Sequence, residues 1–150
     1  MSESAVFRYR LRVRYSECDA QKVVFNSRYG EYVDVAALEF TRALGWLEAL
    51  SGPLDYQLVK QTTQWFAPAR HDQVLELSVQ ALQLGNTSFT LLTEFRILGH
   101  ELVICRVETV YVLLDAASMQ KTPLPEALRA ALNAGTPALV DHGSGPGSPR

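Results

Sequence analysis

The chain brings few chemically versatile residues together, and the densest group is Tyr15-Ser16-Glu17-Cys18-Asp19. Asp19 stands in a polar loop just ahead of a segment with helical apolar spacing. A carboxylate in that place is a helix cap, a solvated charge, or a general base or nucleophile. Glu17, two residues earlier, reads as a solvated charge at a strand end. Cys18 has no histidine near it in sequence to activate its thiol and reads as a small buried residue. His71, His100 and His142 fall in two turns and the C-terminal segment without metal-ligand spacing. Cys18 and Cys105 form neither a CxxC pair nor a disulfide framework. No metal is expected.

The elements that must position these residues follow from composition and period. The 150 residues are 47% hydrophobic and 20% charged, with a formal net charge of -2. That is the balance of one globular domain, and it disfavours nucleic acid as a partner. No stretch approaches a membrane span, the N-terminus lacks an apolar signal core, and unpaired thiols suggest a reducing compartment. A cytoplasmic protein is expected.

Residues 6–15 alternate, with Phe7, Tyr9, Leu11, Val13 and Tyr15 on one face and Arg8, Arg10, Arg12 and Arg14 on the other, the period of a half-buried strand. The arginine row reads as a solvated face, a contact for phosphates, or a contact for acidic residues of a neighbouring subunit. After a loop, with Asn26 or Ser27 as N-cap, residues Tyr29, Tyr32, Val33, Ala36, Ala37, Phe40, Ala43, Leu44 and Leu47 predict a long amphipathic helix whose end Gly45 weakens or bends. Four strands follow, over about 56–67, 73–84, 87–98 and 102–115, joined at Gly85-Asn86 and Gly99-His100 by turns that favour antiparallel hairpins. A β-bulge is expected near Ala81-Leu82. A short helix over about 124–134 is opened by Pro123 and Pro125 and stopped by Gly135. The domain therefore spans 1–135, and 136–150, rich in Gly, Ser and Pro, is expected to be a flexible tail.

This order predicts an α+β fold of five antiparallel strands and one long helix, with the sheet able to curl around the helix. In the last strand Val103, Val107, Tyr111 and Leu113 take one face and Leu102, Ile104, Val110, Val112 and Leu114 the other. One helix cannot cover both, so the second face is expected against another subunit.

The segment from Tyr15 to Tyr29, with Asp19, the turn at Ala20-Gln21-Lys22, the apolar pair Val23-Val24, aromatic Phe25, Asn26 and Tyr29, resembles the signature of the 4-hydroxybenzoyl-CoA thioesterase-like hotdog proteins. The resemblance extends over about 8–132. Pro68-Ala69-Arg70-His71-Asp72 looks like the family's turn between the second and third strands, and Gly85-Asn86-Thr87-Ser88-Phe89 like its next turn, near the CoA moiety. The chain departs from the pattern at Lys22, where the family often has Gly, at Asn26, where it often has His, and at Arg28, where it often has Asn.

The resemblance implies a hotdog fold and hydrolysis of an acyl-CoA thioester to free acid and CoA. Asp19 would act as nucleophile or as general base for water, and the Asn26 amide at the helix start would polarise the carbonyl. A helix N-terminus presents free N–H groups and partial positive charge, which suits a developing oxyanion. A thiol of pKa about 8.5 is a tolerable leaving group without an added acid. Lys22, Val24, Phe25, Tyr29, Gly85, Asn86, Thr87 and Ser88 would contact substrate or CoA. No cofactor is implied beyond coenzyme A within the substrate. The expected assembly is a homodimer or homotetramer with the site at a subunit interface. Two other readings stand beside this one: a dehydratase on the same fold, which would need a histidine near the carboxylate, and a non-catalytic acyl-CoA-binding or assembly protein, which Lys22 and the lack of basic residues at Gly85–Ser88 keep open.

Overall fold

The structure is a computed structural model and describes residues 5–143. Its elements are strands β1 (Phe7–Arg12), β2 (Leu54–Trp65), β3 (Val74–Leu84), β4 (Ser88–Ile97), β5 (Val103–Asp115) and β6 (Leu139–Asp141), with helices α1 (Arg28–Ala43) and α2 (Glu126–Ala134). The strands form one sheet in the order β2-β5-β4-β3-β1-β6.

This is a mixed sheet of six strands, not the five antiparallel strands expected. The sixth comes from the segment expected to be a tail: β6 pairs in parallel with β1, from Arg8↔Leu139 to Arg10↔Asp141. Its backbone completes the otherwise open edge of β1, with the Arg8 amide donating to Ala138 O at 3.1 Å and the His142 amide to Arg10 O at 2.9 Å. Half-buried Ala138 and Val140 pack against the core. Residues 144–150 of the expected tail lie outside the described residues.

α1 lays its apolar stripe on one face of the sheet. Tyr29, Tyr32, Val33, Ala36, Ala37 and Phe40 are buried, Phe40 meets Phe7 at 5.7 Å, and Tyr29 meets Phe95 at 5.4 Å between ring centroids. The helix ends earlier than its periodicity suggests, at Ala43 rather than near Leu47. Gly45 takes φ +82°, and the Trp46 and Gly45 amides bond to Thr41 O and Arg42 O. That pairing is the Schellman ending that a left-handed glycine permits.

The Gly85 and Gly99 turns and the bulge between Ala81 and Gln83 stand where expected. β5 corrects the expected facing. Opposite Phe95 and Arg96 the register shifts, leaving Ile104 as an extra residue, so Cys105, Val107, Thr109, Tyr111 and Leu113 point into the core together with Ile104. An extra residue inverts the alternation on one side of it. The outer face carries ion pairs, Arg106 with Glu94 at 2.8 Å among them.

The arginines of the row from Arg8 to Arg14 meet acids of their own chain. Arg10 pairs with Glu76 at 3.0 Å and Asp141 at 3.5 Å, Arg12 with Asp72 at 3.4 Å, and Arg14 with Glu17 at 2.9 Å. Tyr15 does not continue the buried face. It is 70% exposed, because the chain leaves the strand in a single 3-10 turn, Tyr15–Glu17. No helix among the described residues is long and apolar enough to cross a membrane.

Candidate active site

After the 3-10 turn the chain folds back on itself. The Asp19 amide donates to Val23 O at 2.9 Å, the Lys22 amide to Asp19 O at 2.9 Å, and the Phe25 amide to Glu17 O at 3.0 Å. The result is a small hairpin with Asp19 at its tip. The Asp19 side chain is exposed, and its Oδ1 accepts the Gln21 amide at 2.8 Å, the local bond that makes aspartate a turn former. Its Oδ2 makes no hydrogen bond among the described residues.

Lys22 closes this turn with φ +64°. The departure from the family's glycine therefore keeps the positive φ that glycine provides at least strain. The Lys22 side chain is exposed.

The returning strand of the hairpin is held by the loop between β2 and β3. The Val24 amide donates to Ala69 O at 2.8 Å and the His71 amide to Lys22 O at 3.1 Å. His71, read from sequence as an exposed turn residue, is exposed. It nevertheless docks at the hairpin through its backbone, with its ring edge-on to Tyr15 at 5.5 Å.

The hairpin delivers the chain to the start of α1. Ser27 occupies the cap position, but its side chain makes no capping hydrogen bond, which corrects the expectation of a side-chain cap at Asn26 or Ser27. The Asn26 amide has no acceptor among the described residues, so the helix start offers an unengaged N–H group. Asn26, Val23, Val24 and Tyr29 line a pocket of about 290 Å³ closed on the other side by Trp65, Phe66, Ala67 and Pro68. Buried Tyr29 stands edge-on to Trp65 at 6.2 Å, and its hydroxyl faces the Ala69 amide at 3.4 Å.

Of the residues singled out in the sequence, Val24, Asn26 and Tyr29 share this pocket. Asp19, Lys22 and Phe25 lie outside its lining, with Phe25 exposed. From the Asp19–Val23 rung, three strand steps lead past the Glu17–Phe25 rung, so the Asp19 and Asn26 Cα atoms stand roughly 10 Å apart. Trp65 and Phe66 were not singled out. Their only signal is a pair of aromatics at the end of a strand, directly before Ala67-Pro68.

Gly85, Asn86, Thr87 and Ser88 are not brought to this pocket within one chain. They form the β3–β4 turn, at the end of β3 opposite Val74 and the loop that holds the hairpin. At roughly 3.3 Å per residue, the eleven residues of β3 put that turn over 30 Å away. The turn is docked by the C-terminal region: the Leu124 amide donates to Asn86 O at 2.9 Å and Arg129 Nη2 to Gly85 O at 2.9 Å. Arg129 of α2 therefore places a guanidinium beside this turn.

Glu17 is not a solvated charge. It is 5% exposed. Burial alone would raise its pKa, but the Arg14 amide, the Arg14 guanidinium and the Tyr32 hydroxyl outweigh that and hold it below the ordinary value. Burial, with Glu17 and Asp19 nearby, raises the Cys18 thiol, which keeps it protonated and a poor nucleophile. Cys105 is fully buried and pushed up to about 12. Among the described residues no three His, Cys, Asp or Glu side chains are grouped to hold a metal ion.

Several known proteins resemble the chain along most of its length. The acyl-CoA thioester hydrolase YbgC of Escherichia coli is 25% identical over 127 residues, spanning 83% of this chain and 94% of that protein. Among solved structures, BH1999, a gentisyl-coenzyme A thioesterase, superposes with a TM-score of 0.74 at 25% identity, over 83% of this chain and 98% of that one. SAV2348 of Staphylococcus aureus, solved in complex with CoA, shares the fold alone: TM-score 0.79 at 10% identity, over 91% of this chain and 90% of that one. Residues 13–132 match the thioesterase-like superfamily, and the chain belongs to that family.

Proposed function

We propose that the protein hydrolyses acyl-CoA thioesters to the free acid and coenzyme A, with Asp19 and the Asn26 amide acting on opposite sides of the thioester carbonyl. The observation that carries this reading is the pairing of an exposed carboxylate at the tip of a braced hairpin with an unengaged N–H group at the start of α1, beside an apolar pocket. The roughly 10 Å between their Cα atoms leaves roughly 6 Å once the aspartate side chain is extended. A carbonyl carbon about 3 Å from the attacking oxygen, with its own oxygen about 3 Å from the amide, fills that gap.

Asp19 attacks the carbonyl carbon or takes a proton from the attacking water. The amide and the N-terminal end of the helix dipole stabilise the negative oxygen. The C–S bond then breaks and the sulfur takes up a proton; where Asp19 attacked, the acyl group is left on its carboxylate as an anhydride that water cleaves to free acid and Asp19, and where water attacked, its oxygen ends directly in the free acid. The pocket lining of Val23, Val24, Tyr29, Trp65, Phe66 and Ala67 favours an uncharged acyl group.

Self-association completes this reading. β2 is a sheet edge of 12 residues, mostly polar but with Leu58, Val59 and Trp65 exposed, and a long open edge of this kind can pair with another chain. A two-fold pairing of two such edges reverses their direction. It places each chain's Trp65 end beside the partner's Leu54 end, where the partner's Gly85–Ser88 turn also lies, since Ser88 aligns with Val112 and Val112 with Gln57. A homodimer of this kind brings the turn, with Arg129, to the end of the sheet that carries Asp19, and gives CoA phosphates a cation and backbone amides to meet.

The test is thiol release from a panel of acyl-CoAs together with the mass of the protein in solution. Hydrolysis by an oligomer is expected. Binding of acyl-CoA with no hydrolysis of any thioester would favour a binding protein, and a monomer would contradict the shared site.

A further inference from the structure

We propose that Glu17 is a positioning residue: its buried carboxylate, bonded to Tyr32 on α1, fixes the Asp19 hairpin relative to the Asn26 amide. This rests on the hydrolase reading for its effect on rate, but the structural link stands apart from it.

A carboxylate this deeply buried is rare unless it is fully partnered. Oε1 accepts the Arg14 amide at 2.8 Å and the Tyr32 hydroxyl at 2.8 Å, and Oε2 accepts Arg14 Nε at 3.1 Å and Nη2 at 2.9 Å. The guanidinium does not explain the burial, because the Arg14 side chain is 77% exposed and could hold Glu17 at the surface. The Tyr32 hydroxyl does explain it. Tyr32 is fixed in the core of α1, four residues beyond Arg28, and its O–H donates to the carboxylate.

The same residue grips the other strand of the hairpin, for Glu17 O accepts the amide of Phe25, the residue before Asn26. Glu17 thus has one hold on the body of α1 and one on its entry. Among the described residues the Asp19 side chain is bonded only within its own turn, and Ala69 and His71 brace the returning strand against the β2–β3 loop, which meets α1 through the long Ala69 amide to Tyr29 hydroxyl bond at 3.4 Å. Glu17 is the hairpin residue whose own side chain bonds to α1, at 2.8 Å from the Tyr32 hydroxyl.

The experiment compares wild type, Tyr32→Phe, Glu17→Gln and the double variant. Tyr32→Phe keeps the ring in the core and removes only the hydroxyl. A positioning role predicts kcat reduced about 10–100-fold in either single variant, the scale of an ångström-sized misplacement. It also predicts a KM for acyl-CoA within about threefold of wild type, an unmoved acidic limb in the pH–rate profile, and a double variant no slower than the slower single one. Amide hydrogen exchange read over residues 18–26 should speed up in the single variants while the strands keep their protection. A loss of stability with kcat unchanged in the folded fraction would overturn the proposal, as would additive losses or a shifted acidic limb, which would make Glu17 a reacting group. If the wild type hydrolyses no acyl-CoA, the hydrolase reading fails and exchange alone decides: unchanged protection of 18–26 in Tyr32→Phe overturns the link.

Discussion

Replacing Lys22 by glycine should make the protein more stable while leaving its contacts almost untouched. Lys22 holds φ +64°, where a Cβ crowds the carbonyl oxygen at a cost of about 1–2 kcal/mol. Glycine removes that cost and returns about 0.5–1 kcal/mol through the greater freedom of the unfolded chain. The Lys22 side chain is exposed and makes no hydrogen bond among the described residues, so little else is lost. The net gain is about 0.5–1 kcal/mol, which for a domain of this size corresponds to a rise in Tm of about 1–4 °C. Lys22→Ala is the control, because alanine keeps the Cβ and should gain nothing. Urea unfolding of the three proteins, with equal m-values, measures the difference. A destabilised Lys22→Gly, or a Lys22→Ala that gains as much, would refute the strain argument. The same variants separate backbone from charge: if the ammonium meets a CoA phosphate, both raise KM for acyl-CoA equally.

Glu17 should make stability pH-dependent. Its carboxyl is held below its ordinary value of 4.5, so its contribution is full above that pH and is lost as pH falls through the lower folded value. Acid unfolding followed by circular dichroism should show wild type losing stability below about pH 4.5 more steeply than Glu17→Gln; parallel curves would contradict this. Gly135→Ala should cost at least about 2 kcal/mol, since Gly135 has φ +65° and a Cβ there would collide with the Ala5 carbonyl. Thermal unfolding within 1 °C of wild type, as an order-of-magnitude bound, would refute that. Arg129→Ala should raise KM for acyl-CoA about tenfold, the value of one charge-assisted contact, and leave the matching acyl-pantetheine thioester unaffected. Equal effects on both substrates would place Arg129 outside the CoA-binding turn.

The local signals in the sequence were strong where packing has a short period. Phe7, Tyr9, Leu11 and Val13 alternate because one face of β1 is buried, and the Tyr29-to-Phe40 stripe marks the face of α1 that meets the sheet. The bulge after Ala81 was visible as a slip in that same alternation. Where a long-range partner decides the structure, the sequence was silent. Leu139 and Val140 in a Gly, Ser and Pro-rich stretch do not announce a strand; the open edge of β1 makes one. Ile104 breaks the facing of β5 without any turn residue to mark it. Glu17 looks like a surface charge until Tyr32, fifteen residues away, supplies its buried donor. In the site, the residues near one another in sequence, Val24, Asn26 and Tyr29, were found together. Trp65 and Phe66 arrive from another strand. The Gly85–Ser88 turn lies at the far end of β3, a separation that no motif encodes.

In the proposed reaction the Asp19 carboxylate acts on a thioester. Thiol release from acyl-CoA by wild type and Asp19→Asn tests it most directly, because asparagine keeps the shape and the Oδ1 acceptor for the Gln21 amide while removing the charge. Asp19→Asn is expected to reduce kcat about 10²–10⁴-fold with the fold and acyl-CoA binding intact. Equal rates for the two proteins would contradict it.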